Sequence, residues 1–230
     1  MPDRIETGTY MIAAAITGSE LFLSGATCDY LTAFIDVLRQ MGVIIQQLMS
    51  GVSIKSPTPK ELQPASIRTG PYPDFPTDLQ APVMALLSLI PGKSYESNEF
   101  WLFELSLLSV PYFLGQSIIE ETIFENRLRH VNELKRMGAS ISTSQSEIGL
   151  ARIEGVSELR GQEALTPTDL RAGACLVLAA LGASGTSSLI ELQHISRGYS
   201  KMFQKLQEVG ADIVEEDCSD PISGSSNKIV

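Results

Sequence analysis

One pattern recurs three times along this chain, and it limits the possible folds more than any other feature. Tyr30–Gly42, Arg129–Gly138 and Ser200–Gly210 each place apolar residues three and four apart, end in glycine, and run into a short β-rich stretch. Those stretches are Val43–Ile45, Ala139–Ser142 and Ala211–Val214. The spacing is that of an amphipathic helix. The closing glycine suits the left-handed position just past a helix end. A second helix is expected before each of these, at Ala13–Thr17, Thr77–Ile90 and Thr168–Leu181. These are almost free of charge along their length, as in helices buried on all sides. Strand-like runs at Leu21–Leu23, Ile118–Glu120 and Ser188–Glu191 lie between the two helices of each copy. The pattern predicts an α/β domain of three similar βαβαββ-like units, with buried helices inside and sheets outside.

The repeat also reveals where it is broken. Arg4 to Gly42 spans 38 positions and Asp169 to Gly210 spans 41, but Asp78 to Gly138 spans 60. The middle unit therefore carries about twenty extra residues, and Tyr95–Ser117 is the segment that stands out. It holds six of the 15 aromatic residues, including Trp101, the single tryptophan. Deleting it joins Pro91–Ser94 to Ile118 as an ordinary turn into a strand. A lid or partner-binding helix is one reading. The other is an added stretch without a role, since its Phe/Leu/Ser-rich end, closing in Gln116, has the character of a translated intron tail.

Composition narrows the function. The formal net charge of −10 argues against a nucleic-acid surface, which needs a basic face. No stretch approaches the ~20 uncharged apolar residues of a membrane helix. The opening Met1–Tyr10 lacks the basic and apolar regions of a secretory signal. Cys28, Cys175 and Cys218 form no CxxC pair, a set that fits a reducing compartment. His130 and His194 are not spaced as metal ligands, so no metal is expected.

Two units open with matched motifs, Phe75-Pro-Thr-Asp-Leu-Gln-Ala81 and Thr166-Pro-Thr-Asp-Leu-Arg-Ala172. Thr77 and Thr168 are suitable N-caps. With Thr77 as cap, Gln80 would complete a capping box. Arg171 would fall in the first turn of its helix, where a cation opposes the dipole unless an anion or Asp169 sits against it. Glu121–Arg127 and His194–Tyr199 place further charges at the corresponding strand-to-helix junctions of two units. Pseudosymmetry would gather Asp78, Asp169, Arg127, Arg171 and Arg197 at one edge of the domain. Arginines at helix starts bind phosphate and carboxylate in bidentate fashion. In an acidic chain such a cluster points to an anionic small molecule.

FPTDLQA, EETIFENR, RMGA, TPTDLRA and HISRGY, in this order, resemble the C-terminal half of the UDP-N-acetylglucosamine enolpyruvyl transferase family. Pro2–Thr9 resembles the segment by which that family's chain returns to its first domain. The resemblance covers residues 1 to about 215, except 95–117. It implies an inverse α/β barrel domain over residues 1–217, carrying the insertion, with 218–230 as a disordered tail. It implies transfer of the enolpyruvyl group of phosphoenolpyruvate to the 3-hydroxyl of UDP-N-acetylglucosamine, with release of phosphate and without a cofactor. Asp78 would contact the sugar hydroxyl as general base, and the Ile123 main chain would touch the nucleotide sugar. Asp169 would sit by the cationic intermediate, and Arg127, Arg171 and Arg197 would bind the anions of phosphoenolpyruvate. The family's N-terminal half, with its Cys general acid, has no counterpart in this sequence, and none of the three cysteines matches that Cys. The chain would then supply half a site and need the missing half as partner. A non-catalytic binding or interaction domain derived from the transferase is the alternative. The compartment implied is the bacterial cytoplasm, or the plastid stroma for a plant gene.

Overall fold

The computed structural model describes residues 2–92, 115–143, 148–218 and 226–229. The expected segment at 95–117 lies almost wholly outside the described residues.

Three apolar helices form the centre. They are α1 (Arg4–Thr17), α3 (Gln80–Leu87) and α5 (Leu170–Leu181), which pack against one another. Met11, Ile12, Ala14, Met84, Leu86, Cys175, Leu176 and Leu178 are all fully buried, as the lack of charge in these helices requires. A helix surrounded on all sides needs close approaches. Gly8 of α1 provides one, since a Cβ there would lie 2.5 Å from Leu79 Cδ1.

The amphipathic helices α2 (Thr32–Met41), α4 (Val131–Arg136) and α6 (Met202–Glu208) lie outside this core. Their terminal Gly42, Gly138 and Gly210 have φ of 110°, 96° and 99°, the positive backbone angles that the repeat predicts. Sheets cover the outside. The first unit holds β1 (Glu20–Ser24), β2 (Ile44–Leu48) and β3 (Gly51–Lys55), paired antiparallel in the order β1-β3-β2. The second holds β4 (Ser66–Arg68), β5 (Ser117–Glu120), β6 (Ser140–Thr143) and β7 (Leu150–Glu154), in the order β4-β5-β7-β6. Its first pair is parallel and the others are antiparallel. The third unit holds the short parallel pair of β8 (Leu159–Arg160) and β9 (Ala183–Ser184).

Several expectations are corrected. The first buried helix begins at Arg4 rather than Ala13, because Asp3 caps it by accepting hydrogen bonds from the amides of Ile5 and Glu6. Ser188–Glu191 is not a regular strand. Pairing continues there only as a bridge between Leu165 and Leu189, flanked by bonds from the amides of Ala164 and Leu165 to Ser188. Glu215–Cys218 (β10) and Ser226–Ile229 (β11) pair antiparallel, in a register that sets Glu216 opposite Lys228. Ser117 belongs to the fold, not to the insertion. It is buried at the start of β5, and its hydroxyl accepts from the Ala65 amide at 3.2 Å.

The two ends of the added segment meet. A Cβ placed on Gly92 would lie 2.1 Å from the Gly115 carbonyl oxygen and 2.8 Å from its Cα. The chain thus leaves the second unit and returns to it at one point.

Candidate functional site

The Thr77–Leu79 segment forms a 3₁₀ turn that leads into α3, with Pro76 as its cap. Thr77 is therefore not an N-cap, and there is no capping box, because Gln80 is the first residue of α3 and its side chain is fully buried. The turn frees Asp78 to face sideways, where two arginines meet it. Arg127 Nη2 lies 2.7 Å from Asp78 Oδ1, and Arg171 Nε lies 3.1 Å from the same oxygen. Both arginine side chains are 17% exposed and the carboxylate 33%, so the pairing is only partly screened by water. Burial alone would raise the Asp78 pKa. The Arg171 guanidinium, and then that of Arg127, hold it below its ordinary value, so the carboxylate is ionised at neutral pH.

Each arginine comes from a different unit, and each is backed by a hydroxyl. Arg127 Nη1 donates to Thr77 Oγ1 at 3.2 Å, and that hydroxyl donates to Glu121 Oε2 at 2.8 Å. The other oxygen of Glu121 accepts from the amides of Ile123 and Phe124, at 2.9 and 3.1 Å. The guanidinium of Arg127 also lies 4.8 Å from the centre of the Phe124 ring. Thr122 ties the same loop to β4, donating its amide to Thr69 Oγ1 and its hydroxyl to the Thr69 carbonyl.

Arg171 Nη1 donates to the Tyr199 phenol at 3.2 Å. Tyr199 in turn lies 3.1 Å from the Thr9 hydroxyl, which donates to the Ile5 carbonyl at 2.9 Å. Burial pushes the Tyr199 phenol above its usual value, so it stays neutral beside the guanidinium.

Asp169, not Thr168, caps α5, its Oδ1 accepting from the amides of Arg171 (2.8 Å) and Ala172 (2.9 Å). Arg171 thus occupies the second helical position, its cation answered by Asp78. Arg197 ends the 3₁₀ turn Leu192–Arg197. It is exposed and makes no contact with the Asp78 cluster among the described residues. Ile123 is half-exposed on the same loop as Arg127, with its amide taken by Glu121. The expected gathering of five charged residues is therefore a closed triad of Asp78, Arg127 and Arg171. Asp169 stands two residues from Arg171, and Arg197 two residues from Tyr199, the phenol that Arg171 bonds.

Sequence reasoning left Thr9, Glu121 and Tyr199 without roles, although all three lie inside the quoted motifs. Glu121 carried a usable signal, since an acidic residue at a strand end that turns out 5% exposed must find several donors. His130 was also missed as a support. It is buried beside the Arg127 loop, with Nε2 3.2 Å from the Met84 sulfur.

Comparison with known proteins adds a second line of evidence. Residues 1–100 and 107–206 match the family model of EPSP synthase (3-phosphoshikimate 1-carboxyvinyltransferase), and the break at 101–106 falls inside the added segment. UDP-N-acetylglucosamine 1-carboxyvinyltransferase 1 of Halalkalibacterium halodurans is 42% identical over 211 residues, covering 92% of this chain and 41% of the relative. The transferase of the same activity name from Parasynechococcus marenigrum is 42% identical over 213 residues, 93% of this chain and 42% of that one. Among solved structures, the enolpyruvyl transferase NikO from Streptomyces tendae superposes with a TM-score of 0.74 at 25% identity, over 92% of this chain and 44% of its own. EPSP synthase from Acinetobacter baumannii shares the fold, with a TM-score of 0.64 at 17% identity over 99% of this chain and 46% of that one. The chain spans less than half the length of the relatives it matches.

Proposed function

The chain belongs to the EPSP synthase (3-phosphoshikimate 1-carboxyvinyltransferase) family, and we propose that it supplies the C-terminal half of a site that moves the enolpyruvyl group of phosphoenolpyruvate to the 3-hydroxyl of UDP-N-acetylglucosamine. The observation that carries this reading is the ionised carboxylate of Asp78 held between Arg127 and Arg171, in a chain about 42% identical to relatives named for that transfer. A carboxylate in this setting accepts the proton of the sugar hydroxyl, and the adjacent guanidiniums meet the carboxylate and phosphate of the second substrate.

In the reaction the hydroxyl oxygen adds to C2 of phosphoenolpyruvate while C3 takes a proton from the general acid of the missing half. Phosphate then leaves C2 and C3 gives the proton back, which restores the double bond. Asp169, at the start of α5, answers the positive charge that develops at C2. Arg197, exposed and without a polar side-chain partner among the described residues, is available to an anion in the joined enzyme. The Ile123 main chain meets the nucleotide sugar. The chemistry of the residues asks for no cofactor. The compartment this reading implies is the cytoplasm, or the plastid stroma for a plant gene.

The test joins this chain to the N-terminal half of a relative and follows phosphate release. The joined protein is expected to be active and the isolated chain inactive. Asp78→Asn should lower kcat by removing the proton acceptor. Arg197→Ala should raise KM for phosphoenolpyruvate by the loss of a charge-assisted contact of ~1.5–3 kcal/mol. Phosphate release by the isolated chain at enzymic rates would overturn the half-site reading. An inactive joined protein that still binds the nucleotide sugar would favour a non-catalytic binding domain.

A further inference from the structure

Two arginines share Asp78, but the groups behind them differ. Behind Arg171 the hydrogen-bond chain runs through the Tyr199 phenol and the Thr9 hydroxyl to the Ile5 carbonyl, and every group beyond the guanidinium is neutral. Behind Arg127 the chain is one link long and ends on a charge. Thr77 has a single hydroxyl proton. Because Arg127 Nη1 donates to that oxygen, the proton must point at Glu121. The direction of the whole relay, from guanidinium to hydroxyl to carboxylate, is fixed.

Glu121 has no cation within ion-pair distance among the described residues. A carboxylate 5% exposed is costly unless hydrogen bonds answer it. Its donors here are two loop amides and the Thr77 hydroxyl. Through that hydroxyl it is a second, more distant counter-ion for Arg127.

We propose that Glu121, acting through Thr77, is a positioning residue that locks the Arg127 guanidinium onto Asp78 and makes Arg127 the fixed member of the pair, leaving Arg171 as the arginine able to turn towards an incoming anion. Neither the Glu121 nor the Thr77 side chain bonds to the Asp78 carboxylate. They act by holding the loop and the guanidinium in one orientation. The importance of the lock for catalysis rests on the proposed function. Its existence does not, so the relay is tested in the free 230-residue chain and the reaction is tested separately in the joined halves.

The experiment follows the titration of the Asp78 carboxyl carbon by NMR in the wild-type chain and in Thr77→Val, Thr77→Ser and Glu121→Gln. The charged groups nearest Asp78 are Arg127 and Arg171, with the neutral Tyr199 phenol and the Glu121 carboxylate beyond them. Thr77→Val keeps the shape and removes the relay. Arg127 should loosen, and Asp78 should titrate about one unit higher. Thr77→Ser restores the hydroxyl and should return the wild-type value. Glu121→Gln separates positioning from simple charge. Removing a nearby negative charge would by itself lower the Asp78 titration, whereas loss of the lock raises it. An upward shift in Thr77→Val and Glu121→Gln, with the serine variant unshifted, is the expected result. An unmoved titration in Thr77→Val, or a downward shift in Glu121→Gln, overturns the proposal. If Glu121→Gln does not fold, the valine and serine pair decides alone.

Discussion

The His130 imidazole makes this chain sensitive to acid. Burial lowers the pKa of His130 to about 4 from an ordinary 6.5, so between these values the unfolded chain takes up a proton that the folded chain refuses. Stability is therefore undiminished above pH 6.5 and falls as the pH drops towards 4, by about 3 kcal/mol in all. Urea unfolding at pH 7 and pH 5 should differ by about 2 kcal/mol from this source, and His130→Gln should flatten the dependence. Asp78 does not blur the measurement. Its pKa is held below the ordinary 3.8 by Arg171 and Arg127 against the opposing effect of burial, so its contribution persists through this window and is lost only at lower pH.

Among the elements, α1 and the Thr77–Leu79 turn are coupled by a missing side chain. Leu79 fills the space over Gly8, next to the residue that carries the site's carboxylate. Gly8→Val would drive methyl groups into Leu79 and should cost about 1–3 kcal/mol in urea unfolding. Gly8→Ala should cost less, because the gain in helix propensity, up to ~1 kcal/mol, offsets part of the overlap. The elements that the sequence announced are those with repeated local signals. Gly42, Gly138 and Gly210 end their helices because only a residue without a Cβ adopts those angles easily, and that constraint is visible one residue at a time. Junctions decided by distant partners were not legible. Thr77 reads as a cap, but Glu121 and Arg127 claim its hydroxyl from 44 and 50 residues away. Gln80 reads as a capping amide but turns inward instead. Asp3 was readable, since an aspartate followed three residues later by Glu6 is a helix-start signature. Of the candidate site, the arginines and Asp78 followed from motif and pseudosymmetry. The hydroxyls that orient them did not, because a threonine or tyrosine in a motif does not reveal what it bonds to.

At the scale of the whole molecule, a chain of net charge −10 presents a partly buried pair of arginines. If these groups await an anion, inorganic phosphate at ten times its dissociation constant should raise the unfolding free energy by about 1.4 kcal/mol over chloride at equal ionic strength. Arg171→Ala should remove most of that gain, as read by thermal unfolding. The added segment gives another test. Excising residues 93–114 and bonding Gly92 to Gly115 should leave the thermal midpoint no lower than the parent's, because the two glycine backbones already touch, a Cβ built on Gly92 falling 2.8 Å from the Gly115 Cα. Closing a loop of this length costs about 3 kcal/mol of chain entropy, which the excision relieves. The Gly92–Gly115 contact has an optical consequence as well. Trp101, the single tryptophan, belongs to the segment that departs there, so intrinsic tryptophan emission from this protein arises from the added segment. The shortened chain would be dark in that channel, and one tryptophan written anywhere in its framework would then light up that position and no other.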